Sequence, residues 1–276
     1  MPELPEVQTV VNTLRPKLLG RVIKTVVVVR SDVIRPRGCN LAAKIRGRTI
    51  QDLSRRGKRI VILLANGNRF FAHLGMSGRL TVAARREHVP KHTHLILRFS
   101  DGTDELRFTD ARRFGGIHWL GNESGAADLG PEPLAVRAAQ LARRLARTRR
   151  AVKSALLDQR VIAGLGNIYV DEALFAARIH PCVRASELSL DQIRRLNRAV
   201  KRTLRRALRH RGSTLRDFVD ANGAGGAYQK FHRVYARENE PCLVCGAPIQ
   251  RVVLCGRSSH FCPRCQPAQM LHRRQF

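Results

Sequence analysis

Apolar side chains recur at Val7, Val10, Val11, Leu14 and Leu18, the three-and-four spacing of one helix face, with Pro5 near the start and Gly20 just past the end. That pattern predicts an amphipathic helix over residues 5–19. From Val22 to Leu120 the period shortens to two. Strand-like runs at 22–29, 59–65, 69–74, 79–83, 94–99 and 104–109 are joined by turn signals such as Asn66-Gly67 and Asp101-Gly102. They predict a β-sandwich or barrel carrying a helix at its N-terminus. Gly, Asn, Ser and Pro crowd residues 121–133, the expected domain boundary. Helical periodicity then returns at about 135–147, 152–158, 167–177, 189–211 and 213–219, and a glycine-rich stretch at 220–227 leads to a cysteine-bearing tail. The expected class is α+β multidomain: a β domain over 1–133, a helical domain over 134–236 and a small metal module over 237–276.

Composition sharpens this layout. At 276 residues the chain exceeds what one core usually serves, and 43% hydrophobic content is ample for two or three. Lys and Arg number 51 against 21 Asp and Glu, a formal +30 spread along the whole length. Such a field attracts polyanions, nucleic acid first among them, because each neutralised phosphate releases condensed counterions. A lineage bias toward arginine is the plainer explanation of the same charge. The start does not resemble a secretion signal, and the longest aliphatic run, Val26 to Val29, is far too short to cross a bilayer. A soluble intracellular protein without membrane contact is expected.

Four of seven cysteines form two pairs, Cys242-Leu243-Val244-Cys245 and Cys262-Pro263-Arg264-Cys265, sixteen residues apart. This is the spacing in which two knuckles give four thiolates to one tetrahedral zinc. A tail of about forty residues has little core of its own, so binding that metal is its folding energy. Cys39, Cys182 and Cys255 remain and are expected to act as small buried hydrophobes. In Val161-Ile162-Ala163-Gly164-Leu165-Gly166-Asn167-Ile168-Tyr169, glycines join two helices and Asn167 is placed to cap the second. The turn suits a phosphate at a helix N-terminus, and equally a plain tight connection.

Met1-Pro2-Glu3-Leu4-Pro5-Glu6-Val7, His73-Leu74-Gly75-Met76-Ser77-Gly78, Thr109-Asp110-Ala111-Arg112-Arg113-Phe114-Gly115, Gly164-Leu165-Gly166-Asn167-Ile168-Tyr169 and the four cysteines occur in order from residue 1 to residue 265. Together they resemble bacterial formamidopyrimidine-DNA glycosylase. The resemblance implies an N-terminal β-sandwich with its helix, a helix-two-turns-helix domain and a four-cysteine zinc finger. It also implies one structural zinc on Cys242, Cys245, Cys262 and Cys265, and damaged double-stranded DNA as partner. A monomer in the bacterial cytoplasm, at the nucleoid, goes with it.

The chemistry of the first residues fits that activity. Removing Met1 from a Met-Pro start exposes Pro2 as a secondary amine. An α-amine has a pKa of about 7.7–8.0 against about 10.4 for lysine, so far more of it is nucleophilic at neutral pH. Attack on C1′ of a deoxyribose gives an iminium that cannot lose its charge at nitrogen and therefore draws electrons through β and then δ elimination. On residue type alone Pro2 would be only a helix-start residue. Glu3 stands beside it and Glu6 one turn on; either carboxyl could move protons during ring opening, or simply favour the helix N-terminus. The family motif selects Glu3.

By the same resemblance Lys58 lies near the scissile phosphate and Arg257, between the zinc knuckles, grips phosphate during the last elimination. Met76, Arg112 and Phe114 fill the gap left by an everted nucleotide: a flexible thioether, a planar donor for the orphaned base and an aromatic wedge. Taken singly, Met76 and Phe114 would be core residues. His73, His92 and Asn167 match DNA-backbone contacts, Lys153 a lysine reaching the lesion, and residues 220–227 with Tyr228 a cover over the flipped base. Two departures stand out: Ala111 replaces a proline, which is expected to loosen the loop holding Arg112, and Gln8 replaces a glutamate. An endonuclease VIII-type enzyme for oxidised pyrimidines shares this layout but not the filled plug, and a silent nucleic-acid binder would share the scaffold without the chemistry.

Overall fold

A computed structural model describes residues 1–268, and its contacts divide the chain into two compact units. The first comprises Met1–Ala127 with Ala207–Gln229, the second Asp128–Arg206 with Lys230 onward. The last eight positions of the expected metal module, 269–276, lie outside the described residues.

The first unit begins with helix α1 (Leu4–Leu18), started by a capping box between Glu3 and Glu6 with proline in its first turn. Its buried face is Leu4, Val7, Val10, Val11, Leu14 and Leu18. Two sheets follow. One has four strands in the order β1 (Ile23–Val28), β7 (Thr93–Phe99), β8 (Asp104–Thr109), β6 (Arg79–Ala84). The other has five, in the order β2 (Ile34–Arg35), β9 (Gly116–Gly121), β5 (Arg69–His73), β4 (Arg59–Leu64), β3 (Ile50–Arg56). One core joins both: Ile23, Leu97, Phe99 and Phe108 from the first, Ile60, Ile62, Leu64 and Phe70 from the second, and the apolar face of α1. The alternatives of sandwich and barrel thus resolve to a sandwich. A short helix, α2 (Leu41–Ile45), starts at Asn40, whose side chain accepts from Ala43 N.

Residues 213–219 do not form the expected helix. Their donors are satisfied elsewhere: Ser213 N by Glu6 Oε1 at 2.7 Å and Thr214 N by Gln229 Oε1 at 3.1 Å. Thr214 Oγ1 accepts from Gly226 N and donates to Phe218 O. The glycine-rich stretch is likewise tied, because the buried Asp220 accepts from Asn222 N, Ala224 N and the Arg211 guanidinium.

The second unit holds α3 (Ala138–Leu145), α4 (Val152–Leu157), α5 (Asn167–Ala177) and most of α6 (Leu190–Arg209). Between α4 and α5 the chain makes successive turns around Gln159, which accepts from Gly164 N and donates to Leu157 O and Leu165 O. Asn167 is the first residue of α5 rather than its cap; Gly166 caps the helix, and the Asn167 amide reaches Ser258 O at 2.9 Å. A two-stranded hairpin, β10 (Gln250–Leu254) and β11 (Arg257–Phe261), follows. It carries a small core of Phe175, Val234, Ile249 and the cysteines Cys242, Cys262 and Cys265. Of the remaining cysteines, Cys39 is half-buried and Cys182 and Cys255 are exposed, against expectation.

Candidate active site

Pro2 is buried immediately ahead of α1, and Glu3 beside it is 3% exposed. Helix α1 packs on β3 and β4. Both oxygens of the Glu6 carboxylate accept backbone amides. Its Oε2 accepts the Glu3 backbone N–H at 2.8 Å and its Oε1 accepts Ser213 N at 2.7 Å, so the carboxylate fixes the backbone that carries Glu3. Gly212 makes room for it: φ is +79°, and a Cβ there would lie 2.5 Å from Glu6 Oε1.

Lys58 occupies the tight turn between β3 and β4 and is 8% exposed. The turn is braced by Arg55, which donates from Nη1 to Gly57 O at 2.9 Å and from Nε to Gln8 Oε1 at 3.0 Å. The neutral Gln8 therefore still gives Arg55 an acceptor. His73 ends β5 opposite Arg59, and burial, followed by the charges of Lys58 and Arg59, holds its pKa below the usual imidazole value. Gly75 N donates to His73 Nδ1 at 3.2 Å, which leaves the proton of the neutral ring on Nε2 as a donor suited to a phosphate oxygen.

Met76 and Phe114 are exposed at 43% and 60%, and the Arg112 guanidinium lies 4.9 Å from the Phe114 ring centroid. The core role that each apolar residue would have singly is excluded. Their two loops meet backbone to backbone, since a Cβ on Gly75 would lie 2.4 Å from Gly115 N. Sequence reasoning passed over what joins them. Asp110, fully buried, accepts from Ser77 Oγ at 2.6 Å, Arg112 N at 3.3 Å and Gly115 N at 2.8 Å, while its own N–H donates to His92 O. His92, exposed and at φ +65°, is thereby tied to the same loops. A short acidic residue inside an arginine-rich block was the available signal.

In the second unit Lys153 is fully buried, its Nζ 2.7 Å from Asp171 Oδ1 and 2.6 Å from Ser258 O. Arg257 is exposed at the start of β11. The Sγ atoms of Cys242, Cys245, Cys262 and Cys265 all lie within 4.8 Å of one another, with Cys242 and Cys265 at 3.9 Å and Cys245 and Cys262 at 3.4 Å. A tetrahedral zinc with bonds of about 2.3 Å sets its sulfurs about 3.8 Å apart, so the set fits one structural zinc. Val244 N and Cys265 N point at Cys242 Sγ and Cys262 Sγ, the amide-to-sulfur contacts that stabilise thiolates.

Family models match the chain in three places. The formamidopyrimidine-DNA glycosylase N-terminal domain matches residues 1–117, the H2TH domain of the same enzymes 129–219, and a zinc finger found in FPG and IleRS 239–268. The formamidopyrimidine-DNA glycosylase of Geobacillus kaustophilus is 45% identical over 275 residues, 96% of this chain and all of the relative. That of Bacillus subtilis is 44% identical, covering 96% and 99%. Lactococcus lactis Fpg in complex with DNA containing an abasic site superposes with TM-score 0.90 at 33% identity, over 96% of this chain and all of that one. The Thermus thermophilus MutM (FPG) protein gives 0.86 at 39% identity, over 96% and 98%. Sandwich, H2TH helices and four-cysteine finger together define a DNA glycosylase of the helix-two-turns-helix class. The chain belongs to the formamidopyrimidine-DNA glycosylase family.

Proposed function

We propose that this protein excises oxidised purines, 8-oxoguanine and formamidopyrimidines, from duplex DNA and then cleaves the strand at the abasic site. Supporting this are near-full-length identity to formamidopyrimidine-DNA glycosylases and solved relatives bound to lesion DNA. The observation that carries the chemistry is the head of α1, where Pro2 and Glu3 are buried side by side and Glu6 holds the Glu3 backbone. With Met1 removed, the Pro2 nitrogen attacks C1′ as the glycosidic bond breaks, and Glu3 delivers a proton to the opening sugar. The resulting iminium acidifies C2′. Loss of that proton expels the 3′ phosphate, and a second elimination expels the 5′ phosphate.

Lys58 and the Nε2–H of neutral His73 are placed in this reading on the phosphates flanking the lesion, and Arg257 on the phosphate that leaves last. Met76, Arg112 and Phe114 enter the stack, as their exposure allows. Zinc bound by the four cysteines supplies folding, not catalysis. Among the described residues no helix is long and apolar enough to cross a membrane. In this reading the protein works as a monomer at the nucleoid, in the bacterial cytoplasm, where its substrate lies. Incision of 8-oxoguanine duplexes with each of the four opposite bases tests the substrate; preference for oxidised pyrimidines would favour the endonuclease VIII-type reading instead.

A further inference from the structure

One carbonyl in the second unit receives side chains from two helices. Ser258 O accepts Lys153 Nζ from α4 at 2.6 Å and Asn167 Nδ2 from α5 at 2.9 Å. Asp171 lies one turn beyond Asn167 on α5, and both of its oxygens are engaged. Oδ1 pairs with Lys153 Nζ at 2.7 Å, and Oδ2 takes His260 N at 2.9 Å and His260 Nδ1 at 3.2 Å. Alternate residues of β11 are thus pinned by their main chain to the helices. On the other side of Arg257 the hairpin turns through Cys255 and Gly256, both left-handed, with Leu254 paired to Arg257. The Arg257 backbone is held between a fixed turn and a fixed carbonyl.

The side chains of Lys153 and Asp171 are both 0% exposed. A buried ion pair costs desolvation, and a well-packed apolar pair is often at least as stable, so stability is a weak reason to keep one. Placement of a specific backbone atom is a better one, because Lys153 gives Ser258 O the shorter of its two side-chain hydrogen bonds, and an apolar side chain at 153 would leave that carbonyl to Asn167 alone. We propose that Asp171 is a positioning residue for Arg257: by orienting Lys153 it fixes the Ser258 carbonyl, and through it the direction in which Arg257 leaves the hairpin. The consequence for elimination rests on the reading of Arg257 given above. A small misplacement of a phosphate-gripping group lowers the step it serves, not those before it.

The test uses the full-length zinc-loaded protein with Asp171→Asn and with the apolar pair Lys153→Met/Asp171→Leu. In Asp171→Asn the ratio of β,δ to β-only product on abasic-site DNA is expected to fall about tenfold, as for a displaced transition-state contact. Borohydride-trapped adduct and zinc content stay within about twofold of the parent. The apolar pair is expected to recover thermal stability without recovering the ratio; recovery of both would make the pair merely structural and overturn the proposal. Hydrogen exchange at Gly256–Ser259 reads the hairpin without reference to activity. Faster exchange in Asp171→Asn is expected, and unchanged exchange overturns the positioning role. Arg257→Ala separates the two readings: an unaltered product ratio there overturns the role given to Arg257, while the exchange data still decide that of Asp171.

Discussion

Asp110 Oδ2 accepts the Gly115 backbone N–H at 2.8 Å, so the loop that carries Arg112 and Phe114 closes on a buried carboxylate at its own base. The other oxygen takes Ser77 Oγ from the loop that carries Met76. The plug is therefore one body. Asp110→Ala leaves a half-buried hydroxyl and amide without their acceptor, and a stability loss of about 1–3 kcal/mol is expected in urea titrations. Asp110→Asn keeps the volume, and single-turnover excision from duplex is expected to fall by about tenfold or more. Excision at the parent rate in Asp110→Asn would show that the two loops do not need this hub.

Phe114 and Phe108 separate plug from core. Phe108 is fully buried, and Phe108→Ala is expected to cost about 3–5 kcal/mol, whereas the exposed Phe114→Ala costs at most about 0.5 kcal/mol. Excision should respond in the opposite sense: Phe114→Ala folds normally and loses lesion removal from duplex, but retains cleavage of an abasic site in single-stranded DNA. Equal loss on both substrates would argue against a stacking role.

Burial holds His232 well below the usual imidazole value, to about 4. The folded ring is neutral while the unfolded one binds a proton below its ordinary pKa of about 6.5. Its contribution is therefore complete above that pH and is lost as pH falls toward 4, at up to about 1.4 kcal/mol per pH unit. His232→Gln should flatten this part of the stability curve between pH 6.5 and 4, measured as the difference from the parent. Parallel curves would mean that the ring titrates normally.

Chelation tests the metal module. Removing zinc should abolish duplex binding and the structure of the tail, since structural zinc contributes about 10 kcal/mol or more of folding energy in such modules. Circular dichroism of the chelated protein should keep the signal of the sandwich, whose core contains none of the four ligands. Full lesion binding after complete zinc loss would contradict this account.

Legibility followed periodicity. Helix α1 is visible from its three-and-four apolar spacing, and strands β1 and β4 to β8 from short runs rich in apolar residues set off by turn signals. Strand β3 is hidden because a register shift between Ile50 and Asp52 turns both Ile50 and Leu53 inward, three positions apart. Strand β9 begins and ends on glycine and carries His118, which stacks on Phe71 at 4.4 Å. The helix expected at 213–219 fails because its N-terminal amides go to Glu6 and Gln229, side chains outside the segment. Motif residues that face outward, such as Met76, Phe114 and Arg257, could be named from the sequence. The buried carboxylates Asp110, Asp171 and Glu6 could not be assigned, because each is held in part by main-chain amides, which leave no mark on composition.

The nucleophile remains the central claim, and borohydride reduction on an 8-oxoguanine duplex tests it most directly. Tag-free protein with Pro2 verified as its first residue by mass spectrometry should yield a covalent adduct whose cross-linked peptide begins at Pro2. Protein that keeps an extended or blocked N-terminus should yield none and should not incise. Undiminished incision by the blocked protein would contradict the assignment of Pro2.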